Sequence, residues 1–430
     1  MSNYLNNITP DSFSGALFAL EGVARSVVLL NGPTGCKFYH SATSDNQLIR
    51  QFEFDPLNYP EKWYFGQPRV PCTYLDNGDY IYGGADKLIE ALTFLRDNVT
   101  FELLCIVNSP GAALIGDDLC GIAKTVIPYR PVVVLETPGF SSDVCAGHEA
   151  AALALLKQLP PPKADRTVSR RVNLLGLSLF HRNHTGDVAE LRRIFSLCGL
   201  HLGCVLCGGG SLADMAVMPE AALNIVIHPE YGLKTAEYLK THYGTPFYVC
   251  DGPPIGFAAT EKLLREVCDL TGADASDAIR ESEQARARAY AFISRVNSLT
   301  GLPKGVSFAV EGNCSELYVY VDFLVRYFGM IPECVSILNP QSSVFKERLT
   351  ELLSDFGLTN AMERDILNTN AELVFASGNT ISKLRLKKHV FTGIETALPT
   401  LGYLDVVPKT QLGTGGALHV TELILNGLMY

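Results

Sequence analysis

Nowhere in its 430 residues does the chain contain a G-x-x-x-x-G-K-[ST] segment, so it carries no phosphate cradle of the Walker type. It has no basic run, and its formal net charge is −10, which argues against a nucleic-acid surface. Long apolar runs are missing too. The best candidate, Ser14–Leu30, is broken by Glu21 and Arg25, and no basic segment precedes it. Neither a signal peptide nor a membrane span is therefore expected, and the expected location is cytoplasmic. Charge is sparse, at 19% against 47% apolar residues, which is enough apolar material for a large core. Tryptophan occurs once, as Trp63 within the stretch 38–70, whose aromatic, Asn and Pro content reads as a structured insertion over a sheet edge. Twelve cysteines in a chain this long are too few for a disulfide scaffold and suggest core thiols, metal ligands or both.

What is present is organised around Ser26–Lys37. Ser26-Val27-Val28-Leu29-Leu30 reads as a buried strand, and Gly32-Pro33-Thr34-Gly35 as a turn that delivers Cys36 to the strand's end. Two glycines there allow something to approach the main chain closely. Before it, Asp11 or Ser12 is the expected N-cap of an apolar helix over Phe13–Ala24. From Leu103 onward, short apolar runs alternate with helical segments: Leu103–Val107, Val132–Leu135, Val172–Leu177, Leu202–Leu206, Ile225–Ile227, Phe247–Val249, Val306–Val310, Cys334–Leu338, Leu373–Phe375 and Tyr403–Val407. Such alternation is the signature of parallel βαβ units. Pro- and charge-rich stretches before Val172 and Val306 divide the chain into three α/β units, 1–165, 166–303 and 304–430. The expected fold class is α/β, with three Rossmann-like domains whose central parallel sheets are flanked by helices.

Chemistry-bearing residues collect at turns. Cys36, Cys72 and Cys120 all fall in the first unit, and soft sulfur ligands converging from separate loops suit an iron–sulfur centre; the alternative is three buried core cysteines. Cys204-Val205-Leu206-Cys207 is a CxxC without a second pair and reads as core. His148 and His228 each follow an apolar strand and turn, and can be functional or simply hydrogen-bonded. His181 and His184 (His-Arg-Asn-His) can be a metal pair, but without an evident partner ligand they are read as a solvated loop. Gly116-Asp117-Asp118 places carboxylates at a helix start, where they cap free N–H groups.

Six stretches, in order, resemble the nitrogenase component 1 family almost end to end. They are Gly15-Ala16 with Gly32-Pro33-Thr34-Gly35-Cys36; Asp79-Tyr80-Ile81-Tyr82-Gly83-Gly84; Leu114-Ile115-Gly116-Asp117-Asp118; Thr137-Pro138-Gly139-Phe140 with Gly147-His148; Pro254-Ile255-Gly256 with Thr260; and Gly413-Thr414-Gly415-Gly416-Ala417. The resemblance implies a nitrogenase-like reductase subunit. It would receive low-potential electrons from an ATP-dependent iron–sulfur reductase partner through a 4Fe–4S-type cluster and pass them to a substrate near His148 and His228, in a cleft between domains that holds either substrate or a second metallocofactor. ATP chemistry would then belong to the partner. It also implies a homodimer, or a heterotetramer with a related component 1 subunit. Cys36 matches a family cluster cysteine. Asp11 and Pro110 stand where two others are expected, while Cys72 and Cys120 are additional, so the implied cluster ligands are Cys36, Cys72 and Cys120, with Asp11 as an oxygen ligand or a helix cap. His228 stands where the molybdenum–iron alpha subunit has its cofactor-binding cysteine, and Leu412 where it has a cofactor-binding histidine. These replacements point away from dinitrogen as substrate. A metallocofactor scaffold or carrier without turnover is the alternative.

Overall fold

The computed structural model describes residues 10–37, 40, 70–136, 142–164, 168–338, 343–400 and 405–429. The insertion around Trp63 and the Thr137–Phe140 loop lie outside them. Packing divides the chain into two compact units, one of Met1–Ala164 with Ser178–Phe180 and Cys204–Pro219, the other of Asp165–Leu177, His181–Gly203 and Glu220–Tyr430.

In the first unit, β1 (Ser26–Asn31), β2 (Leu103–Asn108) and β3 (Val132–Glu136) form a parallel sheet in that order. Every residue of β1 and β2 is buried, because helices cover both faces and leave no side for polar alternation. The helices of this unit are α1 (Ser12–Glu21), α2 (Asn77–Tyr82), α3 (Ala85–Asn98), α4 (Leu119–Val126) and α5 (Val144–Gln158), of which the short α2 has no buried residue and covers neither face. Helix α1 begins where Asp11 caps it by accepting from the Ser14 N–H at 2.9 Å. It ends at Glu21 rather than Ala24, since Gly22 closes it. Leu88, Leu92 and Leu95 of α3 pack with Leu104 and Ile106 of β2 in one apolar cluster. Asp118 caps α4 by accepting from Gly121 at 2.9 Å, as the sequence implies.

The second unit is built on two four-stranded sheets. One comprises β4 (Val168–Leu175), β5 (His201–Val205), β6 (Ala221–Val226) and β7 (Phe247–Val249) in the order β5-β4-β6-β7. The other comprises β8 (Ser307–Gly312), β9 (Ile331–Ile337), β10 (Leu373–Ser377) and β11 (Thr392–Ala397) in the order β11-β10-β8-β9. The pairs β4–β6, β6–β7, β8–β9, β8–β10 and β10–β11 are parallel. Its main helices are α6 (His184–Leu197), α7 (Pro229–Tyr243), α8 (Phe257–Thr271), α9 (Ser276–Thr300), α10 (Cys314–Asp322), α11 (Ser343–Asp355), α12 (Gly378–Leu386) and α13 (Gly413–Leu428). The α/β class with parallel sheets and flanking helices stands. One strand does not. Residues 403–404 lie outside the described residues and Asp405–Val407 form no strand; the fourth strand of the last sheet is β11 instead.

Candidate functional site

A ladder of polar side chains closes the carboxyl ends of the first sheet. Asn31 donates to Asn108 at 3.0 Å, and Asn108 donates to Glu136 at 2.8 Å, across the registered ends of β1, β2 and β3. Thr73 donates to Asn31 at 2.9 Å and accepts the Gly32 N–H at 2.9 Å. The 70–75 segment runs along the free edge of β1, bridging Leu30 to Cys72, so Cys72 is buried beside the strand end from which the Cys36 turn departs. Gly32 is needed there for close approach: a Cβ would stand 2.4 Å from the Ser109 Oγ.

Cys36 sits half-buried in a 3-10 turn, Thr34–Lys37. Burial pushes its thiol up most, a hydrogen bond with Ser109 pulls it down, and the charges of Asp11 and Cys72 push it up again. Cys36, Cys72, Asp11 and Ser109 thus share one neighbourhood. Tyr80 belongs to it as well, hydrogen-bonded with Ser109 and lying against Gly111. Cys120 is the second residue of α4, half-buried, and makes none of the contacts described around Cys36. His148 lies buried in α5, whose N-terminus packs on α1 so tightly that a Cβ on Gly15 would stand 2.0 Å from the Val144 carbonyl oxygen. Cys204 and Cys207 are buried core residues; burial raises both thiols, Cys207 to about 12, so they stay protonated.

A different group forms in the second unit. His228 leaves β6 as the cap of α7, where Gly176 lets its backbone come close: a Cβ on Gly176 would meet the His228 carbonyl oxygen at 2.4 Å. The His228 ring stacks obliquely on His181 at 4.2 Å between centroids, and its Nδ1 lies 3.2 Å from a Glu316 oxygen. His181 is 8% exposed and His184 6%, so the expectation of a solvated loop fails. The two histidines are carried inward because Asn183 takes a left-handed turn (φ 62°) just before α6. Beside them Asp187 is fully buried and accepts from the Thr410 Oγ1 at 2.8 Å and from the Gln411 and Leu412 N–H groups at 2.8 and 3.1 Å. Burial raises its carboxyl to about 7 despite those donors. Leu412 is itself buried and offers no ligating atom. The motif glycines in this unit are structural. Gly413 donates to the Pro254 carbonyl at 2.9 Å, and a Cβ on Gly416 would meet the Gln411 carbonyl carbon at 2.1 Å.

Residues 12–429 match the family of nitrogenase component 1 type oxidoreductases. The chain belongs to this family. Its curated relatives include a subunit of the light-independent protochlorophyllide reductase of Bradyrhizobium sp. strain BTAi1, 31% identical over 50% of this chain and 43% of that protein. The same subunit from Methylocella silvestris is 27% identical over 75% of this chain and 63% of its own length. The chain thus spans about one third to three fifths of the length of such relatives. Nitrogenase Cp1, solved at pH 6.5, shares the fold with a TM-score of 0.75 at 16% identity, covering 98% of this chain and 93% of that one.

Members of this family bind iron–sulfur clusters, and the surroundings of Cys36 fit such a group in part. Cys36 and Cys72 are two soft sulfur donors that, with the Asp11 carboxylate, lie near enough for Asp11 and Cys72 to act electrostatically on Cys36, whereas among the described residues it is His181, His228 and Glu316 that bring three ligand atoms within 4.8 Å of one another. Asp11 also caps α1 through Ser14, so the helix-cap role is met whether or not it binds metal. In the second unit, sequence reasoning singled out His228 but missed His181 and Glu316 as its companions. The three are separated by 47 and 88 positions, and only the ends of β4, β6 and β8 bring them together.

Proposed function

We propose that this chain is the reductase component of a nitrogenase-like system. It accepts low-potential electrons from an ATP-dependent iron–sulfur partner in the cytoplasm and reduces a substrate other than dinitrogen. The convergence of Cys36, Cys72 and Asp11 at the carboxyl end of β1 carries this reading. These residues would hold a cluster of the 4Fe–4S type, completed by Cys120 or by donors from a second component 1 subunit. Such a cluster supplies one-electron relay chemistry when bound. The chain's own part is to hold the donors in place: the Asn31–Asn108–Glu136 ladder and Thr73 fix the strand end, and Ser109 hydrogen-bonds with Cys36. The substrate reading rests on His228 and Leu412, which replace the expected cofactor ligands, and on relatives named for protochlorophyllide, an unsaturated organic ring system. His148 and His228 are the proposed substrate-side groups. Leu412 favours a second reading, a metallocofactor carrier without turnover.

The test is iron and acid-labile sulfide per chain, with visible and EPR spectra, on anaerobically purified protein. About two to four irons per chain and a dithionite-sensitive band near about 400 nm are expected, both lost in Cys36→Ala and kept in Cys207→Ala. Iron-free protein that was never exposed to air, or an unchanged spectrum in Cys36→Ala, would overturn the cluster assignment. Iron without reductase-dependent turnover of any unsaturated substrate would favour the carrier.

A further inference from the structure

We propose that His181, His228 and Glu316 bind a single divalent transition-metal ion, a site separate from the cysteine group that shares His228 with the proposed substrate-side groups. One ligand atom from each residue lies within 4.8 Å of the other two. Ions of the zinc, cobalt, nickel and ferrous class hold nitrogen and oxygen at about 2.0–2.2 Å, which places neighbouring ligand atoms about 3.0–3.5 Å apart. The 3.2 Å between the His228 Nδ1 and the Glu316 Oε1 already has that spacing. The remaining ligand atoms lie within 4.8 Å.

The contact is not a hydrogen bond. His228 Nδ1 is buried, and despite its distance from the carboxylate no donor–acceptor alignment is made there. An imidazole nitrogen and a carboxylate oxygen that face each other without a hydrogen bond offer two ligand atoms to a cation. The alternative, a protonated His228 paired with Glu316, normally brings the N–H into line. A further carboxyl group lies close by: Glu316 acts electrostatically on the buried Glu230. The carboxylate is also held in place from behind. The second oxygen of Glu316 accepts the Asn313 N–H at 3.1 Å in the capping box that starts α10, and outer hydrogen bonds of this kind orient metal ligands. On the far side Tyr231 stands edge-on to His181 at 4.8 Å. Two imidazoles and one carboxylate leave positions open around the ion, the pattern of sites that bind a substrate donor rather than of purely structural ones.

Cobalt(II) is the probe, titrated into the full chain and followed by visible absorption. Histidine and carboxylate ligands give weak visible bands. Thiolate ligands add intense near-ultraviolet charge transfer, so uptake at the cysteines is recognised separately. The expected result is one saturable equivalent per chain with visible bands and no thiolate charge transfer. Affinity should fall at least tenfold in Glu316→Gln, which keeps the size and an acceptor for Asn313, and again in His181→Gln and His228→Gln. Far-UV circular dichroism establishes that each variant is folded. Should one fail to fold, the others carry the test. Cobalt bound only with thiolate bands, or bound equally by all folded variants, would overturn the proposal, and neither result bears on the iron content of the cysteine site.

Discussion

A buried carboxylate that keeps its proton until near neutrality sets part of the pH response of the second unit. Asp187 has an ordinary value of 3.8 raised to about 7, with burial as the main cause. Because the folded value lies above the unfolded one, the protonated side chain costs nothing at low pH. Stability then falls as pH rises from about 4 to about 7, where only the unfolded chain ionises, and levels off above. Between pH 5 and pH 8 the loss is about 3 kcal/mol. Asp187→Asn keeps the acceptor for Thr410, Gln411 and Leu412, all of which donate to the same oxygen, and removes the titration. The melting temperature of the variant relative to the natural chain should therefore climb by several degrees from pH 5 to pH 8. Parallel curves would mean that Asp187 does not titrate in this range. The same neighbourhood marks the limit of reading residues from sequence. His228 stands out because it follows a strand, whereas the significance of His181 depends on partners 47 and 135 positions away that no local pattern links to it.

Glycines decide how closely elements approach. Helices α1 and α5 pack backbone to backbone, because a Cβ on Gly147 would stand 1.8 Å from the Ser12 carbonyl oxygen and one on Gly15 would stand 2.0 Å from that of Val144. Backbone cannot yield as a flexible side chain can, so Gly147→Ala should cost about 3 kcal/mol by forcing the helices apart. Gly35→Ala has nothing within 4 Å and should change stability by less than about 0.5 kcal/mol. Chemical denaturation of the two variants checks this; equal midpoints would refute the close-packing account. Elements were legible where burial is two-sided. The run Ser26–Leu30 reads as a strand and is one, since a covered parallel strand must be apolar throughout. Thr392–Ala397 is not legible as a strand, because Thr-Gly-Ile-Glu-Thr-Ala offers little apolar signal at the sheet edge, where β11 has only β10 as neighbour. The apolar residues of Asp405–Val407 looked like a better strand, yet Val406 and Val407 are exposed.

At the scale of the whole molecule, the proposed cluster needs more ligands than the described residues around Cys36 offer: two thiols and a carboxylate, where a cubane takes four. Exposed apolar side chains lie on the elements around it. Ile81 is 73% exposed, Tyr82 90% and Leu114 89%. Tyr80 ties α2 to the turn after β2 through Ser109 and Gly111, so the α2 residues and Leu114 flank one segment. A second component 1 subunit covering this face would bury the apolar residues and bring further donors towards Cys36. Interface cores of this kind tolerate a buried unpaired charge poorly. Leu114→Asp should therefore shift the assembly toward single chains in size-exclusion chromatography with light scattering, and iron per chain should fall with it. Cobalt uptake by His181, His228 and Glu316 should persist, since those residues belong to the other unit. If Leu114→Asp leaves both assembly and iron intact, this face is not a subunit interface.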